Sequence, residues 1–333
     1  MNILAYCQFE EGYHQAFREK VLEICPDATV DYFDDQPWDD NTYHEKLRQA
    51  ELVIGHIPPD DLRYCEKLRA ILLDIAGADM YMNCPYLAES VTLCSASGAY
   101  GVVLAEHAVS LVMALCRNIP GYFSNQQQRL WQKNMTDKPI EGSTVLILGA
   151  GDIGINTARL LRPLAKRMIG VRRIRRETPE YFDEMISFQE LDDYLPLADI
   201  ICCSLPGTKE TYHLLNGARL RLMKKDAVLV NVGRGSLIPT KDLCEVLSEG
   251  HLHGVGLDVA EQEPLPPDSP LWSCDRLILT PHIAGNTITQ DSPTNARIFE
   301  IIYNNLENYV HGRALDHVVD RKTGYRTTGE TQN

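Results

Sequence analysis

The sequence carries ten cysteines but no two in a CxxC spacing, which removes the disulfide and zinc readings such a count invites. Cys202 and Cys203 sit side by side in an apolar run, as buried core thiols do, and a reducing cytosol is the expected setting. Positive charge is in deficit. With 32 Lys and Arg against 46 Asp and Glu, the net charge is −14, and an acidic chain is repelled by nucleic acid. Long apolar runs are missing too. The longest, Gly101 to Cys116, is interrupted by Glu106 and His107 and falls short of the ~20 residues a membrane span needs. It reads instead as a helix buried on most of its surface. Met1-Asn2-Ile3 leads into a strand-like run without a basic n-region, so no signal peptide is expected. No internal repeat, low-complexity tract or metal-ligand spacing is evident.

What is present is a nucleotide-site pattern at residues 144 to 176. The apolar run Val145 to Leu148 enters Gly149-Ala150-Gly151-Asp152-Ile153-Gly154, a helical pattern follows, and a second apolar run covers Met168 to Val171. Strand, glycine turn, helix and strand form the context a dinucleotide fingerprint requires. Gly149 permits the tight turn, Gly151 keeps side chains away from a pyrophosphate, and Gly154 lets the helix pack close. The helix N-terminus offers N–H groups and partial positive charge to the phosphates.

The end of the second strand selects between cofactors. An NAD site places Asp or Glu there, about 20 residues past the glycines, for the ribose 2′-hydroxyl. This chain has Arg172, Arg173, Arg175 and Arg176, with no carboxylate until Glu177. Guanidinium groups bind a 2′-phosphate through charge-assisted hydrogen bonds, so NADP(H) is expected in preference to NAD(H).

At 333 residues the chain is long enough for two domains. Strand candidates alternate with helical patterns: Ile3–Tyr6, Leu52–Gly55 and Ala70–Ile75, then Ile200–Cys203, Ala227–Asn231, Gly254–Leu257 and Leu277–Thr280. This alternation predicts parallel sheets with helices on both faces. Because the fingerprint belongs at the first strand of its domain, a separate α/β unit must precede it, at about 1–98. A C-terminal helix, about Thr294 to His311, carries Ile298, Ile301, Ile302 and Leu306 on one face and can return to cover that first unit. The residues from about Thr323 onward read as a loose polar tail.

Chemistry gathers at strand ends. Arg234 follows VLVNVG, Asp258 follows GVGL, and His282 follows LILTP, with Glu263 a few residues past Asp258. Carboxyl ends of parallel strands border the ligand crevice of doubly wound sheets, which would bring these groups beside a bound nicotinamide. A cation to anchor substrate, an imidazole to give a proton, and a carboxylate to orient it are what reversible hydride transfer to a ketone requires.

These residues resemble the D-isomer-specific 2-hydroxyacid dehydrogenases. GAGDIG, Ala198-Asp199-Ile200 with Ser204-Leu205-Pro206, Asn231 to Gly235, Gly256 to Val259 with Glu263-Pro264, and Thr280 to Gly285 occur in family order, as do Ala105-Glu106-His107 and Ala76 to Asp79. The resemblance implies Arg234, Glu263 and His282 as substrate anchor, acid/base partner and acid/base. It implies backbone N–H groups at Gly77 and Ala78 for the substrate carboxylate. Asp152 and Ile153 would lie at the pyrophosphate and Asp258 and Val232 at the nicotinamide, with Pro206 among the cofactor contacts. The implied fold is a Rossmann domain at 99–286, inserted in a discontinuous flavodoxin-like substrate domain made of 1–98 and 287–333. Arg172, where most members carry Asp, makes the chain similar to the NADPH-using glyoxylate and hydroxypyruvate reductases. A phosphoglycerate dehydrogenase and a dinucleotide-sensing corepressor share the fold and are the rival readings. The apolar segment through Ile119-Pro120-Gly121-Tyr122-Phe123 to Trp131 predicts a homodimer over residues 100–140, with Trp131 reaching toward the partner's active site.

Overall fold

Aliphatic and β-branched runs pair in parallel, forming two separate sheets among the described residues. The computed structural model describes residues 1–7, 13–33, 39–133, 136–175, 177–286 and 292–324. The chain divides into two compact units, Met1–Tyr100 with Thr287–Asn333, and Gly101–Asn286.

In the first unit the order is β1 (Asn2–Tyr6), α1 (Tyr13–Ile24), β2 (Thr29–Tyr32), α2 (Asp40–Gln49), β3 (Leu52–Gly55), β4 (Ala70–Leu72), α3 (Asp79–Met82) and β5 (Thr92–Cys94). The strands lie in the order β2-β1-β3-β4-β5, that of flavodoxin-like sheets. Side chains alternate across the pleat. Ile3 and Ala5 enter one layer with Phe17 and Val21, while Leu4 enters the opposite layer with Leu47 and Ile57.

The second unit runs α4 (Gly101–Cys116), α5 (Ile119–Gln127), β6 (Thr144–Leu148), α6 (Asp152–Leu161), β7 (Arg167–Arg172), β8 (Glu184–Ser187), α7 (Leu191–Tyr194), β9 (Ile200–Cys203), α8 (Gly217–Leu222), β10 (Val228–Asn231), α9 (Thr240–Ser248), β11 (Gly254–Leu257) and β12 (Leu277–Leu279). Its order, β12-β11-β10-β9-β6-β7-β8, reverses direction beside β6, as in a Rossmann sheet. Leu146 and Leu148 of β6 pack on one face, Val145 and Ile147 on the other. The chain then returns to the first unit, where α10 (Pro293–Val310) buries Ile298, Ile302 and Leu306 in the layer that holds α1. Ser292 caps α10 by accepting the Asn295 N–H, and Pro293 stands in the first turn, where its missing N–H costs nothing.

Three strands have no counterpart in the sequence reading: β2, β5 and β8. All three are sheet edges. Their sequences (TVDY, TLC, EMIS) include polar residues and lack the continuous apolar run that marks the fully buried β3, β9, β10 and β11 and also the fourth edge, β12 (LIL).

The expectation that the run to Cys116 needs a partner surface is corrected in part. Ala108, Leu111, Val112, Leu115 and Cys116 of α4 are buried inside their own unit, where α4 packs against α6, β10 and β11. The apolar surface lies further on, at Ile119, Phe123, Leu130 and the fully exposed Trp131. No single described helix is long and apolar enough to cross a membrane; α4 and α5 pass together by length and composition, but are bent by 65° at their junction.

Asp199 explains one motif of the sequence. It lies just ahead of β9, accepts the Thr144 N–H at 2.9 Å and the Lys224 ammonium at 2.8 Å, and has Lys138 at 3.8 Å. Burial opposes its charge, yet Lys224 and the Thr144 N–H outweigh it and hold the carboxyl below its usual range. A depressed folded-state value contributes stability above the unfolded pKa, which is lost as pH falls through the folded one. Asp199→Asn is expected to cost about 1–3 kcal/mol at neutral pH. The gap from wild type in urea melts should narrow toward acid, and a pH-independent gap would refute the ionic account.

Candidate active site

The glycine turn between β6 and α6 is shaped by close approaches. Gly149 has φ +103°, a left-handed backbone that L side chains rarely adopt. A Cβ on Gly154 would sit 2.0 Å from the Gly149 oxygen, so only glycine lets α6 start this near the strand. At Gly151, by contrast, a Cβ would meet nothing within 4 Å. This is open space at the N-cap of α6, where helix N–H groups lack an intrahelical partner, and a pyrophosphate fits such a cradle. Asp152 and Ile153 open the helix, with Asp152 exposed and its carboxylate beside Gly101, where a Cβ would come within 2.2 Å. Asn156 Nδ2 donates to the Asp152 carboxylate at 3.2 Å.

The arginines after β7 are not equivalent. Arg172 turns back across the glycine turn and donates Nε to the Ala150 carbonyl at 2.9 Å, with a second bond from Nη2. Arg173 and Arg175 face Glu210 and Glu190 at 3.8 and 3.6 Å. Arg176 lies outside the described residues. Arg172 is thus the guanidinium fixed at the strand end where the adenosine ribose is read in Rossmann sheets.

The three strand ends β10, β11 and β12 are neighbours, and the loops leaving them carry Arg234, then Asp258 and Glu263, then His282. Asp258 is 2% exposed. One carboxylate oxygen accepts the Thr280 hydroxyl at 2.6 Å and the Ile283 N–H at 3.0 Å; the other accepts the Ala284 N–H at 3.0 Å. The Asp258 carbonyl also takes the His282 N–H at 2.8 Å. These bonds hold His282 at φ +55°, a conformation rarely open to a non-glycine residue. The imidazole Nδ1 lies 2.7 Å from Glu263 Oε2. Glu263 in turn takes the Ala260 N–H on its other oxygen at 2.8 Å. A carboxylate only accepts, so Nδ1 carries the proton of this bond and Nε2 is the nitrogen that can give or take another.

Arg234 is half-buried, and its Nη1 donates to the Gly233 carbonyl at 2.8 Å. Asn231 braces its turn, donating Nδ2 to the Arg234 carbonyl and accepting the Gly233 N–H. Val232 is buried with its N–H on the Cys203 carbonyl, and the Pro206 carbonyl accepts the Thr211 hydroxyl. Gly77 and Ala78 belong to the first unit, where they follow β4 and lead into α3, with Ala78 as the N-cap residue.

Residues 109–284 match the profile described as D-isomer specific 2-hydroxyacid dehydrogenase, NAD binding domain. The chain belongs to this family. It is therefore an oxidoreductase that uses a nicotinamide dinucleotide and acts on small 2-hydroxy acids. Among its relatives is a glyoxylate reductase of Thermofilum pendens, 30% identical over 312 residues and 91% of either chain. A family protein of Aeromonas salmonicida subsp. salmonicida A449 superposes with a TM-score of 0.83 at 30% identity, covering 96% of this chain and 99% of that one. A family dehydrogenase of Xanthobacter autotrophicus Py2, solved with NADPH and MES, gives 0.78 at 25% identity, covering 97% and 99%.

Within this dehydrogenase, residues that sequence reasoning gave no role complete the His282 loop. His107 of α4 lies with Nε2 3.0 Å from the Thr280 hydroxyl oxygen and 3.6 Å from Asp258. Since the Thr280 hydroxyl gives its hydrogen to Asp258, it accepts from His107 Nε2–H. The signal was available, because an ionisable side chain inside the apolar run 101–116 calls for a buried partner. That the partner would be Thr280, 173 residues away, was not.

Proposed function

We propose that this dehydrogenase reduces glyoxylate or hydroxypyruvate with NADPH, giving a D-configured 2-hydroxy acid where a stereocentre forms. The observation carrying the reading is the 2.7 Å bond between His282 Nδ1 and Glu263, on loops beside the one that bears Arg234. In this reading the Arg234 guanidinium pairs with the substrate carboxylate and carbonyl oxygen, and His282 Nε2 gives its proton to the oxygen as negative charge develops there. Glu263 keeps the ring oriented and favours its charged form after or before transfer. The nicotinamide, when bound, supplies the hydride. Gly149, Gly151 and Gly154 with the first N–H groups of α6 would hold its pyrophosphate. Gly77 and Ala78 are assigned to the substrate carboxylate on the resemblance alone. The glyoxylate reductase of Thermofilum pendens supports the substrate class. A folded sample that binds NADPH yet turns over no small 2-keto acid would sink it. His282→Ala should lower kcat by about 10²–10⁴ with a smaller change in KM.

Preference for NADP(H) over NAD(H) rests on Arg172, fixed against the Ala150 carbonyl at the end of β7, and the NADPH-bound relative of Xanthobacter autotrophicus Py2 supports it. Arg172→Asp should weaken NADPH binding by about 1.5–3 kcal/mol and NADH binding much less. An unchanged NADPH/NADH ratio moves the 2′-phosphate contact elsewhere, with Arg173 next.

The same reading makes the enzyme a homodimer and cytoplasmic. Ten cysteines without a CxxC spacing, several of them buried in the core as Cys202 and Cys203 are, support a reducing compartment. Exposed Ile119, Phe123, Leu130 and Trp131 form the apolar surface that an isologous partner would cover. Light scattering at low micromolar concentration should give twice the single-chain 37.5 kDa; a fully active sample at the single-chain mass refutes the dimer.

A further inference from the structure

Beside the Glu263–His282 pair stands a second carboxylate–imidazole pair that the reaction does not use. Glu261 precedes Glu263 by two residues on the loop after β11, and its Oε1 lies 2.7 Å from His213 Nε2. Its other oxygen accepts the Thr240 N–H at 2.8 Å. Thr240 is the first residue of α9, whose N-cap position is Pro239, a residue with no side-chain acceptor. The loop carboxylate therefore caps α9 from outside, at the positive end of the helix. Both side chains are about a third exposed, at 32% and 31%. His213 is itself fixed by its N–H on the Ser236 carbonyl and by the ring of Tyr212 stacked at 3.8 Å.

The loop bearing Glu261 also touches the turn that bears Arg234. A Cβ on Gly235 would fall 1.8 Å from the Ala260 oxygen and 2.5 Å from the Glu261 nitrogen, so the two backbones are in direct contact. Glu263 has two fixtures besides His282. One is local, its own bond to the Ala260 N–H. The other is remote, the Glu261 clamp to His213 and α9. Burial opposes the charge of Glu261, but the Thr240 N–H and His213 outweigh it and keep the carboxyl below its usual range, so both acceptor oxygens persist at neutral pH.

We propose that Glu261 is a positioning residue for catalysis: by gripping His213 and the start of α9, it sets the loop that carries Glu263 and so the orientation of the His282 imidazole. The proposal rests on the acid/base roles given above. Small errors in placing an acid/base pair are costly to rate, on the order of a hundredfold for 1 Å. An amide at 261 keeps one acceptor and turns an NH₂ group toward the other donor, which loosens the clamp without removing the side chain.

The test is a double-mutant cycle on the full-length enzyme with NADPH and glyoxylate, measuring kcat, both KM values and thermal melting. Glu261→Gln is expected to lower kcat on the order of tenfold, with the KM for NADPH unchanged within twofold, and His213→Ala is expected to act in the same direction. In a Glu263→Gln background, Glu261→Gln should have little further effect, because both act through one imidazole. Multiplicative losses in the double variant, or a Glu261→Gln enzyme with wild-type kcat, overturn the proposal and leave the acid/base roles standing. A Glu263→Gln enzyme with wild-type kcat overturns both. Should Glu261→Gln fail to fold, His213→Ala in the two backgrounds separates the same outcomes.

Discussion

One buried carboxylate organises the loops that leave β11 and β12 in the second unit. Asp258 could not be buried without donors, since an unpaired carboxylate in the interior is strongly unfavourable. The backbone N–H groups of Ile283 and Ala284 and the Thr280 hydroxyl meet that demand. In doing so they fold the chain after β12 into a tight turn and set His282 at positive φ. His282 is thus placed by the solvation requirement of a neighbour, and His107 extends the same network into α4.

The parallel sheet makes this arrangement workable. Every strand of the second unit ends on the same side, so loops distant in sequence leave the sheet beside one another. Close backbone approaches lock them together: Gly233 against Leu205, and Gly235 against Ala260. At both positions a side chain would separate the loops. Glycine there serves proximity rather than φ, whereas Gly149 serves both, being at +103° and close to Ser204.

Charge is used locally in an acidic chain. A net charge of −14 disfavours anions in general, yet substrates and cofactors of this family are anions. In the function proposed above, their recognition falls to short-range groups: Arg234 beside β10, Arg172 across the glycine turn, and the N–H groups opening α6. Other cations are engaged elsewhere, as Lys138 and Lys224 are with Asp199 and Asp226.

Much of this was legible in the sequence because it depends on local pattern. Continuous apolar runs marked the buried strands, the glycine spacing marked the turn into α6, and Arg234, Asp258 and His282 each stood just past a strand. Edge strands β2, β5 and β8 were not legible, since polar residues within them leave no distinctive run, whereas the edge strand β12, LIL, was. Nor were the partners: that Glu263 Oε2 meets His282 Nδ1, that Glu261 reaches His213, and that Arg172 folds onto Ala150. Residue types and their spacing were enough to nominate groups for the chemistry. Which of them touch depends on the loops that share a sheet end, hence on strand order, and strand order comes from packing between residues far apart in the chain.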